Sequence, residues 1–369
     1  MHVGIAGAGL VGRIVAIYLL EAGHRVTLFD KGSKEGTDAA GFTAAGMLAP
    51  YAELETAESE IFELGKRSIM LWPKLLQTVG LFDGLRQEGT IVTAHPQDWG
   101  ELERFVGILR RKAPAADEVI RPLQSREAMQ ALEPELAAHR GGFFIEPEGV
   151  VDAQRFIAFS VTYLERMGAK VHEYCDVTRL TPRTLHFSDG SSETFDWVID
   201  TRGLGAKEHF SDLRGVRGEV VWVEANDIDI TRPVRLMHPR YKLYVVPRGN
   251  GCEGIDLEYC KDCKLSQTPG YKRYIIGATE IESEDTSPVS VRSAMELLSA
   301  LHTVHPGFME GRIVDMESNC RPAFADNLPR IENEAGLTRI NGLYRHGYLM
   351  APALVERALG MNEELGIRS

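Results

Sequence analysis

Apolar positions near the start of the chain fall into three blocks. Val3, Ile5 and Ala6 form a short run. A longer apolar segment follows Gly7-Ala8-Gly9-Leu10-Val11-Gly12 and ends near Gly23, and Arg25-Val-Thr-Leu-Phe then closes on Asp30. Short runs of this kind predict strands and the longer one a helix, so the pattern reads strand, glycine turn, helix, strand. Farther on, Glu53 to Thr78 places Ile61, Phe62, Leu64, Ile69, Met70 and Leu71 at mixed three- and four-residue spacing, an amphipathic helical region. Gly89 to Ala94 predicts a strand, Glu101 to Lys112 a helix and Ser125 to Leu132 a short one. Asp152 is placed to cap a helix that runs through Met167, with Gly168 as its left-handed end residue. A strand at Lys170–Tyr174, a hairpin turn at Ser188-Asp189-Gly190-Ser191 and an apolar strand from Thr194 to Gly203 follow. Val216–Val223, Tyr241–Pro247 and Arg273–Ile281 alternate as strands. Ser287-Pro288 predicts a capped helix through about His302, and Ala353–Leu365 a last helix.

The strand ending on Gly203 returns the chain to its first unit after an excursion, so the two units interleave. The expected division is 1–85, 145–210 and 311–369 for a nucleotide-binding unit, and 86–144 and 211–310 for a second unit. The fold class is α/β: a Rossmann-like domain interleaved with a mixed antiparallel-sheet α+β domain. With 369 residues and 44% hydrophobic content the chain can build both cores.

The glycine stretch carries the first chemistry. Gly7 permits a tight turn, Gly9 lets backbone approach a pyrophosphate, and Gly12 lets helix and strand pack closely. Asp30 follows Gly12 by eighteen residues, placed to accept from a ribose hydroxyl. The unit reads as a dinucleotide site, with the diphosphate on the free N–H groups of a helix N-terminus. The motif alone does not separate FAD from NAD. Small residues crowd Ala39 to Pro50, either as a helix start packed on the sheet or as a second backbone contact with a cofactor.

A formal charge of −12 without a long basic run makes nucleic acid and anionic membrane surfaces poor partners. No apolar stretch reaches the length of a membrane span, and no basic leader or cleavage site opens the chain. Five scattered cysteines suggest reduced thiols and a cytoplasmic location.

Four separated pieces then agree: Gly7 to Gly12 with Asp30; Thr43-Ala-Ala-Gly-Met-Leu-Ala-Pro50; Tyr244-Val-Val-Pro-Arg248 with Ile276-Gly-Ala-Thr279; and Arg321-Pro322 with Tyr344-Arg-His-Gly-Tyr-Leu-Met-Ala-Pro352. Over nearly the whole chain they resemble the D-amino acid oxidase family of flavoproteins, most closely its glycine oxidase branch of thiazole (thiamine) biosynthesis. The resemblance implies FAD as cofactor. It implies a binding site formed by Gly7, Gly9, Leu10, Val11, Gly12, Asp30 and Lys31, by Ala40, Gly41, Thr43, Ala45, Gly46 and Met47, by Val177 and Gly203, and by His346, Gly347, Tyr348 and Leu349. One departure is visible: the family's third FAD strand usually ends Ala-Thr-Gly, and here it reads Asp200-Thr201-Arg202-Gly203.

By the same resemblance Arg321 clamps a substrate carboxylate, Tyr244 donates to it, and Arg345 either lines the substrate pocket or pins the C-terminal return. His346 is declined as a general base, and Met47 and Met350 read as packing. The implied reaction is oxidative deamination of glycine or a small amine or D-amino acid by hydride transfer to flavin N5. Its products are an imino or oxo acid, ammonia and, with dioxygen, hydrogen peroxide. Two alternatives stay open: a flavin dehydrogenase passing electrons to a quinone or partner protein, and a non-catalytic flavin-binding subunit. Oligomeric state is not readable. Gly249–Lys272 is longer than a hairpin link and holds Cys252, Cys260 and Cys263 in C-x7-C-x2-C spacing. Zinc there would need a fourth ligand from Asp256, Glu258 or Asp262; a plain exposed loop with reduced thiols and no metal is the preferred reading, followed by a lid or partner-contact role and then by zinc.

Overall fold

A computed structural model describes residues 1–113, 115–238, 243–248 and 272–361. The Cys252, Cys260 and Cys263 reading lies outside the described residues. The chain opens as its apolar blocks predict, with β1 (His2–Ala6), α1 (Leu10–Glu21) and β2 (Arg25–Phe29). β1 and β2 pair in parallel, the β2 side extends to Lys170–His172, and Trp197–Asp200 pairs on the other side of β1. Leu337–Asn341 joins Trp197–Asp200 in parallel, and Arg330–Glu334 closes the edge antiparallel. Helix Ala153–Arg166 feeds this six-stranded sheet, its N-cap Asp152 accepting from the Arg155 amide at 3.2 Å. The hairpin at Ser188–Ser191 joins Thr184–Phe187 to Ser192–Thr194, with Gly190 at φ 86°.

The second sheet has nine strands and is antiparallel except where Val234–Met237 runs parallel to Thr90–Ala94. Arg312–Ala323 pairs along the whole of Arg214–Glu224, from Arg214 opposite Ala323 to Glu224 opposite Arg312. Sequence pattern assigns this strand to the first unit, and the sheet register carries it with the second. Its alternation is illegible because most of its residues are half-exposed or exposed, so neither face reads as apolar.

Two helix boundaries also move. The helix expected from Ser287 is Val291–Val304, capped by Ser290, whose hydroxyl accepts from the Ser293 amide at 3.1 Å. Ser287 belongs to the preceding turn, its amide bound to Asp285. The last helix begins at Gly347, well before Ala353. Pro352 sits inside it and removes the N–H that would reach the Tyr348 carbonyl. That carbonyl accepts instead from the buried Trp72 indole at 2.9 Å. Trp72 comes from helix Ser59–Val79, and its ring stacks on Tyr348 with centroids 5.6 Å apart. The bond that the proline breaks is thus replaced from the neighbouring helix. Among the described residues no helix is long and apolar enough to cross a membrane.

Candidate active site

The three glycines of the first turn meet different surroundings. Gly7 has φ 94°, and a Cβ there would stand 2.6 Å from the Thr201 carbonyl oxygen. A Cβ on Gly12 would lie 1.9 Å from the Gly7 oxygen, so both glycines are required by the protein's own backbone. Gly9 is different: its φ is −73°, and the nearest atom to an added Cβ is 3.8 Å away. Nothing in the folded chain crowds it. Gly9 is also the N-cap of α1, with no side-chain cap and no acidic residue in the first turn. Space above Gly9 together with first-turn N–H groups free of any side-chain cap fits the diphosphate of a dinucleotide. Asp30 accepts from the amides of Ala8 at 2.6 Å and Gly32 at 2.8 Å, tying the turn to the following loop. Both oxygens keep further lone pairs for a hydroxyl donor.

Beneath this turn lies Arg13, which the sequence does not flag because it falls on the apolar helix. It is 1% exposed and donates to the carbonyls of Ala8 (2.7 Å), Ile157 (3.1 Å) and Lys34, and to the Ser160 hydroxyl at 3.2 Å. Burial pushes its guanidinium down to about 10, still charged at neutral pH. A buried cation thus holds the glycine turn, the 31–38 loop and helix Ala153–Arg166 together.

A cavity of about 1150 Å³ runs from this turn to the second sheet. Every site residue predicted from sequence lines it except Gly12, which spaces α1 from the turn behind it. Ala45 and Gly46 reach it as a backbone strap: Gly46 has φ 65°, and Arg248 fixes the strap through the carbonyls of Ala45 and Val151. The departure at Asp200–Gly203 is internally balanced. Asp200 forms a buried salt bridge with Arg202 at 2.7 Å, Arg202 also donates to the Val177 carbonyl at 2.8 Å, and the Thr201 hydroxyl donates to the carbonyl of Gly7 at 2.8 Å.

At the far end, Arg321 donates to the Thr279 carbonyl at 3.1 Å. Among the described residues no carboxylate pairs with it. Tyr244 faces the same cavity, and no hydrogen bond to its hydroxyl occurs among the described residues. Burial raises the Tyr244 phenol, with the Arg321 charge opposing, so the phenol is a neutral donor at pH 7. Arg321 and Tyr244 stand on the first and last of four adjacent strands, in the order Arg312–Ala323, Arg214–Glu224, Arg273–Gly277, Leu243–Pro247.

Arg345 also lines the cavity, but its cation is satisfied. It pairs with Glu53 at 2.8 Å and Glu280 at 3.1 Å, and donates to the Thr56 hydroxyl at 2.6 Å. Of the two sequence readings for this arginine, the geometry matches the pin rather than an open substrate contact. Burial would raise the Glu53 carboxyl, yet Arg345, with His346 and Arg235, holds it well below the usual carboxylate range. His346 bonds Glu53 through Nε2 at 3.0 Å. Burial lowers its pKa against the pull of Glu53, leaving the ring neutral. Sequence gives no hint of Glu53, because its partners arrive from residues 235, 345 and 346.

Glu148, 0% exposed, binds the Ala52 amide at 2.7 Å just behind this network. Burial pushes it up to about 7 from an ordinary 4.5, with the amide opposing. The folded state therefore holds this proton more tightly than the unfolded chain. Its stabilising contribution is complete below about pH 4.5 and is lost as pH rises through 7. Glu148→Gln, which keeps the acceptor and removes the ionisation, is expected to gain on the order of 3 kcal/mol over wild type at pH 8 and below about 1 kcal/mol at pH 5. Denaturant unfolding of both proteins at the two pH values measures this, and a pH-independent difference would refute it.

The FAD dependent oxidoreductase family (DAO) matches residues 2–357. The chain is 36% identical over 357 residues to the "Putative thiamine biosynthesis oxidoreductase ThiO" of Rhizobium etli, covering 96% of this chain and 94% of that one. It is 28% identical to a glycine oxidase of Geobacillus kaustophilus, covering 95% and 89%. The crystal structure of glycine oxidase from Geobacillus kaustophilus superimposes with a TM-score of 0.80 at 25% identity, over 98% of this chain and 94% of that one. An iminodiacetate oxidase from Chelativorans superimposes at 0.79 with 22% identity, over 100% and 96%, and shares the fold. A glycine-lined diphosphate cradle opening onto an arginine-bearing sheet, in a chain matched over nearly its full length, belongs to the DAO family of FAD-dependent oxidoreductases, and FAD is the dinucleotide that it binds.

Proposed function

We propose that this enzyme oxidatively deaminates glycine or a small amino acid close to it, with Arg321 as the carboxylate anchor. The observation that carries the reading is an arginine without a carboxylate partner among the described residues, in the cavity that begins at the dinucleotide turn. A guanidinium presents two parallel N–H donors that match a carboxylate and fix its orientation, where lysine would give a point charge. The neutral Tyr244 hydroxyl donates to the same carboxylate. The Gly7–Gly12 turn, the Ala45–Met47 strap and the His346–Leu349 return would hold FAD, which would supply a two-electron acceptor between the amino acid and dioxygen. The amino group enters as the free amine, and its lone pair becomes the new C=N bond as the α-hydrogen leaves with its electron pair. Water then adds to the imine, so amino acid, dioxygen and water become oxo acid, ammonia and hydrogen peroxide.

Chain residues contribute position and field rather than proton transfer. Glu53 is committed as an anion to Arg345, His346 and Arg235, and His346 is neutral with its Nδ1 buried. A relative named glycine oxidase supports a small amino acid substrate. We place the reaction in the cytoplasm, where reduced cysteines and an acidic surface fit. The test is to supply glycine, sarcosine and D-alanine under air and under nitrogen with an artificial dye. Peroxide and ammonia (methylamine from sarcosine) formed in equal amounts under air support an oxidase. Dye reduction without peroxide moves the assignment to a dehydrogenase, and silence in both arms refutes it.

A further inference from the structure

Arg321 and Tyr244 stand on strands separated by two others, roughly 14 Å at about 4.8 Å per strand. A normal sheet surface would hold side chains on both intervening strands and force the clamp to stand away from it. The first intervening strand carries Gly218, and the second carries Gly277, which pairs directly with Tyr244. A Cβ on Gly218 would meet three atoms of one group: Arg321 Nη2 at 2.0 Å, Cζ at 2.2 Å and Nη1 at 2.6 Å. A Cβ on Gly277 would stand 2.9 Å from the Tyr244 hydroxyl. Neither glycine has a positive φ, so the turn chemistry that usually explains glycine does not apply.

We propose that Gly218 is a positioning residue for α-amino carboxylate substrates: its missing side chain lets the Arg321 guanidinium lie flat against the sheet, at the height where both fork nitrogens face the substrate. The inference rests on the carboxylate-anchor reading above. Because the atoms that a Cβ would strike are the free end of a flexible side chain, an added methyl moves the clamp and spares the sheet. Gly277 does the same for Tyr244, though its Cβ would also strike Val220 at 2.8 Å, which makes Gly218 the cleaner test.

Acetate, a carboxylate without an amine, is titrated into the FAD-loaded protein and followed by the change in flavin absorbance. Gly218→Ala is expected to weaken acetate roughly tenfold or more. Arg321→Ala should weaken it at least as much, and Gly218→Ala in the Arg321→Ala background should add less than about twofold. Should Gly218→Ala alone fail to fold while the double variant folds and binds FAD, the clash with Arg321 is demonstrated by suppression. Equal weakening by Gly218→Ala in both backgrounds overturns the proposal. So does unaltered acetate binding in Gly218→Ala while Arg321→Ala loses it, or failure of both Gly218 variants to fold. Unaltered acetate binding in Arg321→Ala refutes the anchor reading itself, and this inference with it.

Discussion

Replacing Arg321 by alanine is expected to leave a folded, yellow protein that has lost roughly 10²–10⁴ in kcat/KM for its amino acid substrate. Two charge-assisted hydrogen bonds from a guanidinium fork contribute on the order of 3–6 kcal/mol where water is excluded. The loss should appear in both KM and kcat, because the anchor binds the ground state and also orients the α-hydrogen. Folding should be little affected, since the only hydrogen bond Arg321 makes among the described residues is to the Thr279 carbonyl. Steady-state kinetics, alongside flavin content and thermal unfolding, give the answer. A variant with near-normal kcat/KM would remove Arg321 from the substrate site.

The second large effect separates two glycines that a motif treats alike. Gly9→Val is expected to fold with a near-normal melting temperature and to bind FAD about 10³-fold more weakly or not at all. Its backbone suits any residue and its Cβ meets nothing of the chain within 3.8 Å, so the added bulk falls where the diphosphate belongs. Gly12→Ala should instead destabilise the protein by on the order of 3 kcal/mol or more. Helix propensity favours alanine by about 1 kcal/mol, but a Cβ 1.9 Å from the Gly7 oxygen must displace backbone. Thermal melts of both apo variants and FAD titration of the folded one test the contrast. A yellow Gly9→Val would contradict the cradle.

Legibility in the sequence followed the length scale of the interactions. The opening strand, turn, helix and strand could be read because apolar period, glycine spacing and Asp30 are all local. Arg321 and Tyr244 could be found only through four motif pieces considered together, since nothing in an Arg-Pro pair or an alternating strand marks a binding residue. Gly218 was invisible for a related reason: a strand glycine signals a bulge or a close approach without saying what approaches. Arg13 was hidden by its apolar helix, and its partners at Lys34 and Ile157 exist only after folding. Pro352 pointed to a helix boundary, because its substitute donor, Trp72, is contributed by a distant helix. The strand Arg312–Ala323 gave no alternation, being buried in a regular way on neither face.

Asp200 and Arg202 show how a departure from a family pattern can be neutral. The two charges pair at 2.7 Å, both nearly fully buried, and Thr201 keeps its contact with the glycine turn. Removing Arg202 would leave Asp200 as an uncompensated buried charge, a cost that usually exceeds what the pair contributes, whereas Arg202 without Asp200 keeps Glu208 at 2.5 Å. The pair belongs to the architecture beside the glycine turn, where Arg202 also reaches the Val177 carbonyl.

The anchor reading makes the substrate's negative charge the feature that the site recognises. Mixing the FAD-loaded enzyme anaerobically with glycine and, separately, with glycinamide compares a carboxylate with its neutral amide at nearly constant size. Bleaching of the flavin by glycine, with glycinamide slower by two orders of magnitude or more, is the predicted result. Equal bleaching by the two would contradict it.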